Sequence, residues 1–317
     1  MTIEQLPLFP GETPQGESGS HVARRPGLTA ESSLGATIER FREHMVQRGY
    51  ADNTVKSFLG DLRILKRYLK GDPPIRQIST HNLESYMHWL QRERGIPCSP
   101  KSYARRLTTL KVFFAWLVEA RILAFDPAAP VAHKPVQTPL PQVLYEQQIE
   151  QVLAVTRELM VAEKPDPRPH LLVTLLLHTG IKKQECMGIK LSHIDTSNPA
   201  EPVVYIRYTN LRLQHKERRL RLPPGWVQAL AQYRRAYELQ ETLFPCTARN
   251  LEYVLADVAK QAGLTDGLSF EMLRWTCAVR DYQARMDPER LRRKLGLSMM
   301  SWRETEPKII RLAEPAL

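Results

Sequence analysis

The sequence predicts a mainly α-helical chain of two domains, the second carrying a small β-sheet, behind an unstructured tail. Three observations carry this. From about residue 34 to residue 117 apolar residues recur at three- and four-residue spacing in four separate stripes, the period of helices with one buried face. Residues 126–141, DPAAPVAHKPVQTPLP, then hold five prolines and no apolar period, as an extended linker does. Beyond them Leu171, Leu172, Val173, Leu175, Leu176 and Leu177 are apolar nearly all round, which suits a helix at the centre of a second core. At 317 residues the chain exceeds one ordinary core. The expected boundaries are a tail over 1–31, a helical domain over 32–126, a linker over 127–143 and a second domain over 144–317.

The tail is rich in Pro, Gly, Ser, Thr and Glu without apolar periodicity, so disorder is expected, with the apolar cluster Gln5-Leu6-Pro7-Leu8-Phe9 as its exception. Ile38, Phe41 and Met45 form the first stripe, ended by Gly49. Asn53 is the expected cap of a second helix with Val55, Phe58, Leu59, Leu62, Leu65 and Leu69 inward. Thr80 is the expected cap of a third, with Leu83, Tyr86, Met87 and Leu90 inward. Ser99-Pro100, a cap followed by proline at the first helical position, opens the fourth, whose buried face is Tyr103, Leu107, Leu110, Phe113, Phe114 and Leu117. Lys101, Arg105, Arg106 and Lys111 are expected along its outer face, where a plain solvated surface is the alternative to a binding role.

In the second domain, Leu144 to Leu153 restarts helix, and Gly180 ends the apolar helix by supplying a left-handed residue. A short helix then follows at once with Lys182, Lys183 and Glu185 at its mouth. VVYIRY (203–208) and RRLRL (218–222) read as strands around a turn holding Arg212, His215 and Lys216. Helices are expected over 226–239, 250–261, from 271 onward and over 287–295.

Composition narrows the function. Lys plus Arg is 45 against 34 Asp plus Glu, a net +11 that favours a polyanionic partner such as double-stranded DNA. No apolar run approaches the ~20 residues of a membrane span and no signal peptide opens the chain, so a soluble cytoplasmic protein with no membrane partner is expected. Cys98, Cys186, Cys246 and Cys277 have no C-x-x-C spacing and are expected as four buried thiols, without disulfide or metal.

The segment Thr179-Gly180-Ile181-Lys182-Lys183-Gln184-Glu185-Cys186 resembles the first active-site motif of the tyrosine recombinase (phage integrase, Xer-like) family, T-G-[LI]-R-x-x-E-[LIV], with Lys182 in place of the arginine. SPKSYARRLTTLKVFFAWL is similar to the DNA-tracking helix of the same family's SAM-like core-binding domain. LQHKERRLRLPP resembles the second half of its G-K-G-x-K-x-R-x-V-P-L hairpin, setting Lys216 and Arg218 on K-x-R and Leu213 where the catalytic lysine would be; Arg212 and His215 are the nearby candidates to replace it. Glu271-Met272-Leu273-Arg274-Trp275-Thr276-Cys277-Ala278 aligns with H-x-x-R-H-T-x-A, keeping Arg274 and replacing the histidine by Glu271. Leu295-Gly296-Leu297 aligns with L-G-[HW], and the nucleophilic tyrosine's place falls at Glu306.

The resemblance implies an N-terminal SAM-like domain, an integrase-type catalytic domain, a linker that lets the two close around a duplex, and chemistry without cofactors. It also implies DNA contacts from Lys101, Arg105, Arg106, Lys111, Lys182, Lys216, Arg218 and Arg274. Arginine grips a phosphate with two parallel donors where lysine offers a point charge, so Lys182 is a weaker substitute. The last histidine is His215, before the second motif, and the last tyrosine, Tyr282, lies only two turns past Arg274 on what should be the same helix, so no tyrosine stands where the nucleophile is expected. The expectation is therefore a DNA-binding protein of this fold without strand cleavage, an accessory or architectural subunit beside an active tyrosine recombinase. A divergent, still active integrase of a mobile element is the enzymatic alternative, and a decaying mobile-element product a third. Lys182 and Glu185 of the first motif, and Arg274 and Glu271 of the second, could instead be simple ion pairs. Gln5-Leu6-Pro7-Leu8-Phe9 resembles the sliding-clamp-binding pentapeptide Q-L-x-L-F, which makes Gln5, Leu6, Leu8 and Phe9 candidate contacts to a clamp.

Overall fold

The computed structural model describes residues 27–96, 98–132 and 139–314. The pentapeptide Gln5 to Phe9, most of the tail and the centre of the expected linker lie outside the described residues. The described residues fall into two compact units, one within 1–138 and one within 139–317.

In the first unit the four stripes become α1 (Leu34–Gln47), α2 (Asp52–Tyr68), α3 (Thr80–Arg92) and α4 (Pro100–Glu119). Phe41, Leu62, Leu65, Tyr86, Leu107 and Phe113 are fully buried among them, so the apolar period and the core agree. Two caps differ from expectation. Ala51, not Asn53, precedes α2, and Asn53 sits exposed in its first turn. Ser79 caps α3 by accepting the Asn82 amide, while the Thr80 hydroxyl instead donates to the Pro127 carbonyl at 2.9 Å.

The outer face of α4 also needs correction. Arg106 is buried, its Nη1 donating to Cys98 Sγ at 2.7 Å and its Nε 3.4 Å from Asp61. Arg105 pairs with the other oxygen of Asp61 and donates to the Ser57 carbonyl. A carboxylate on the buried stripe of α2 must be neutralised, and consecutive arginines of α4 do so together with the Thr109 hydroxyl. Lys101 remains exposed and Lys111 half-buried.

The second unit runs α5 (Glu146–Val161), α6 (Arg168–Thr179), α7 (Lys183–Met187), β1 (Ile194–Asp195), β2 (Val203–Ile206), β3 (Arg218–Arg221), α8 (Trp226–Tyr237), α9 (Ala248–Gln261), α10 (Phe270–Gln283), α11 (Pro288–Lys294) and α12 (Met299–Ala313). The sheet is antiparallel in the order β1-β2-β3, with Val204 opposite Leu220 and Ile206 opposite Arg218. The two-residue β1 and the whole of α12 carry no sequence signal of the kind used above. α6 is the hub, packed by α5, α8, α9, α10 and β3, as its apolar circumference requires. A smaller core joins α10, α11 and α12 through Val279, Leu291, Leu295, Trp302 and Ile309. Cys186 and Cys277 are buried, whereas Cys98 and Cys246 are only half-buried, which corrects the expectation of four buried thiols; all four are free.

Candidate nucleic-acid interface

The site begins where α6 stops. Gly180 has φ +58°, and a Cβ there would lie 2.9 Å from the Leu295 side chain, so glycine is required both by backbone hand and by space. The chain then turns through Lys182 into α7, and the Glu185 carboxylate folds back to accept the Lys182 amide at 2.8 Å. The same carboxylate accepts from Arg218 Nη1 and Nη2 at 3.1 and 2.9 Å, and from the Tyr208 hydroxyl. Burial alone would push this acid up. The fork of Arg218 and the Tyr208 and amide donors outweigh burial and hold it down at about 2, while burial and the Glu185 contact push Tyr208 up to about 12.

Three cations converge on one turn. Arg218 Nε donates to the Lys294 carbonyl at 2.7 Å, Arg274 Nη2 to the Leu295 carbonyl at 2.7 Å, and Lys182 Nζ to the Gly296 carbonyl at 3.3 Å. Arg274 Nη1 also reaches the Gly180 carbonyl. These acceptors lie at the C-terminal end of α11, where helix carbonyls lack intrahelical partners and the dipole is negative, so cations are the natural caps. Gly296 has φ +60°, and its missing Cβ leaves room for Arg218, whose Nη1 would otherwise be 2.7 Å away.

Beside this turn lies a cleft of about 640 Å3 whose lining includes Lys182, Lys183, Glu271, Arg274, Leu297 and Thr305, with further apolar wall from Phe270 and Trp275. Burial lowers the Lys182 ammonium, and Arg274, Lys216 and Arg218 add to this against the opposing pull of Glu185. Arg274 is likewise lowered, chiefly by burial. Each cation still has donors beyond those given to carbonyls: Arg274 uses two of five and Lys182 one of three. The cleft can thus hold an anion between Lys182 and Arg274.

The structure gathers Lys182, Glu271, Arg274 and Leu297 around one cleft. It does not form the simple ion pairs weighed for them. Among the described residues Glu271 is exposed without an ion pair to Arg274, and Glu185 gives its carboxylate to Arg218 rather than to the Lys182 ammonium. Leu213 is half-buried in the 3-10 turn Leu211–Lys216, and neither it nor the exposed Arg212 and His215 lines the cleft. Lys216 is half-buried and its carbonyl accepts Arg218. Glu306 lies half-buried in α12, next to the cleft-lining Thr305, while Tyr282 packs into the smaller core. Sequence reasoning missed Tyr208 and the three carbonyl acceptors; the glycine of the 295–297 motif was the one available signal. Among the described residues no group of His, Cys, Asp and Glu could hold a metal, and no helix is long and apolar enough to cross a membrane.

A helical scaffold thus sets Lys182 and Arg274 beside a cleft, next to an arginine of β3 locked on a buried glutamate. The chain belongs to the phage integrase family, the tyrosine recombinases: residues 142–302 match the phage integrase family and residues 38–121 the phage integrase N-terminal SAM-like domain. It is 34% identical over 166 residues to tyrosine recombinase XerC of Mycobacterium leprae (strain TN), covering 51% of this chain and 54% of that one. It is 26% identical over 281 residues to tyrosine recombinase XerC of Lacticaseibacillus casei (strain BL23), covering 83% and 91%. The match thus spans about half the length of the mycobacterial relatives. In fold it is similar to a lambda integrase dimer bound to a COC' core site, with TM-score 0.67 and 15% identity, over 87% of this chain and 77% of that one.

Proposed function

We propose that this protein binds double-stranded DNA without cleaving it, as an accessory or architectural subunit in recombination or integration beside a catalytically complete recombinase. One observation carries the proposal. The cleft is lined by two cations, Lys182 and Arg274, and by the Glu271 carboxylate, yet no tyrosine and no histidine is among its lining residues. A phosphate could be held there but neither attacked nor relieved of its leaving group by a proton donor. The one tyrosine beside the cation cluster, Tyr208, gives its hydroxyl to Glu185 and has its ionisation pushed up.

A nicked duplex that traps covalent intermediates tests this directly. The expected result is salt-sensitive binding with no protein–DNA adduct, and none after Lys182→Arg either, because residues of such a site act as a unit. A denaturation-resistant adduct mapping to any residue refutes the non-cleaving role. Absence of binding to any duplex refutes the DNA partner.

A further inference from the structure

On the other side of the Lys294–Gly296 turn lies a second concavity of about 560 Å3, formed between β3 and α11. The turn is the wall between the two: Leu295 lines the cleft and Lys294 lines this groove. Its polar lining is Arg218, Arg219 and Arg221 from β3, Arg290, Arg293 and Lys294 from α11, and His178 from α6, with no aspartate or glutamate among the lining residues. Carboxylates around it are already engaged: Glu201 stands 3.4 Å from Arg221, Glu289 is shared by Arg292 and Arg293 at 2.6 and 2.8 Å, Asp281 meets Lys294 at 2.6 Å, and Asp195, which feels the charge of Arg219, accepts from the Ser197 hydroxyl at 2.6 Å. Arg219 and Arg290 have no ion pair among the described residues, and both are exposed. The Arg221 and Arg293 side chains are 72% and 73% exposed, so their pairs hold them weakly and a stronger anion can take them over.

Spacing selects the anion. Arg219 and Arg221 are two residues apart on a strand, hence on one face and roughly 6.5–7 Å from each other. Arg290 and Arg293 are one helical turn apart, about 5–6 Å. Several separated cations along one groove suit a repeating chain of phosphates rather than one compact ion, and Leu220 and Leu222, also in the lining, add no competing acceptors. We infer that the β3–α11 groove is a second DNA phosphodiester-binding surface, engaging a stretch of backbone other than the one that reaches Lys182 and Arg274. The inference rests on the DNA-binding role proposed above and adds a contact surface to it.

The full-length protein is titrated with a long duplex over a range of salt, and the slope of log affinity against log salt is compared between variants. Arg219→Gln with Arg290→Gln should lower the slope by about 2, since each phosphate contact contributes about 0.9. Arg219→Lys with Arg290→Lys keeps both charges and should leave it near the parent value. Arg234→Gln with Arg235→Gln removes the same charge from exposed positions on α8 and should change it little. An unchanged slope in the Arg219/Arg290 glutamine pair overturns the groove while leaving DNA binding intact. An equal fall in the Arg234/Arg235 pair overturns it as well, since net charge alone would then be responsible. A parent protein whose binding ignores salt overturns the DNA-binding role and the groove with it.

Discussion

Glu185→Gln removes one charge from a carboxylate that joins α7 to β3 and to Tyr208, just past β2, while leaving its shape almost unchanged. In the parent the group is lowered from 4.5 to about 2, a difference worth about 3 kcal/mol at neutral pH. A second route agrees: breaking a buried ion pair by neutralising one partner typically costs about 3–5 kcal/mol, because the other charge stays buried. Here that charge is Arg218, whose side chain is 9% exposed and would keep only the Lys294 and Lys216 carbonyls as strong acceptors. Cys186 and Cys277 make the opening of this unit measurable, since both are buried and their thiols react only when it opens. At pH 7, where reclosing outpaces labelling, a loss of about 3 kcal/mol should speed modification of both cysteines by roughly 100-fold.

The pH dependence has a definite sign. A carboxyl whose folded value is depressed contributes its stability in full above the unfolded value near 4.5, loses it as pH falls toward about 2, and contributes nothing below. The parent should therefore lose its advantage over Glu185→Gln between those limits. Urea midpoints at pH 5.5 and pH 3 should differ more for the parent than for the variant. Other carboxylates, such as the exposed Glu289, are common to both proteins and cancel in the comparison. Labelling accelerated by less than about fivefold, or stability curves parallel across acid pH, would refute the central role given to this pair.

Two further expectations follow from single positions. Gly296→Ala should destabilise by about 1–3 kcal/mol, because φ is +60° and the new Cβ meets Arg218; Gly267→Ala, with φ +73° and open space, should show only the smaller backbone part, and equal urea midpoints for the two would show that the Arg218 contact does not matter. A peptide of residues 1–12 should bind a bacterial sliding clamp with micromolar affinity, about 8 kcal/mol, through Leu8 and Phe9, and titration calorimetry giving no signal at high micromolar peptide, or an unchanged one after both are replaced by alanine, removes that proposal.

Elements with one apolar stripe were legible in the sequence because burial imposes the helical period: α1 to α4, α6 and α9 all place their expected residues inward. α12 was not, since Pro307 inside it reads as a helix breaker and its buried side chains Trp302 and Ile309 stand a full two turns apart. Arg106 shows a different limit. Nothing in its own type or spacing separates an arginine on an outer face from one turned inward, and the informative residue was Asp61, an acid set between Leu59 and Leu62 on a buried stripe. The β3–α11 groove was hidden too, because it forms only where a strand and a helix about seventy residues apart in sequence come together.

The candidate site was legible as a set of positions but not as a set of contacts. Motif spacing brought Lys182, Arg274 and the 295–297 turn together, yet their shared business is with backbone carbonyls, which leave no mark in a sequence. This bears on how the cations are weighed as signs of catalysis. Arg218, Arg274 and Lys182 each satisfy one of three successive carbonyls at the end of α11, so each has a reason to be present even if no phosphate is ever cleaved. Their presence therefore says little about strand cleavage. The residues that could attack phosphorus or donate a proton have no such second employment, and at the positions aligned with them, Glu271, Leu297 and Glu306, as at Lys182 and Leu213, the chain departs from the motifs it resembles.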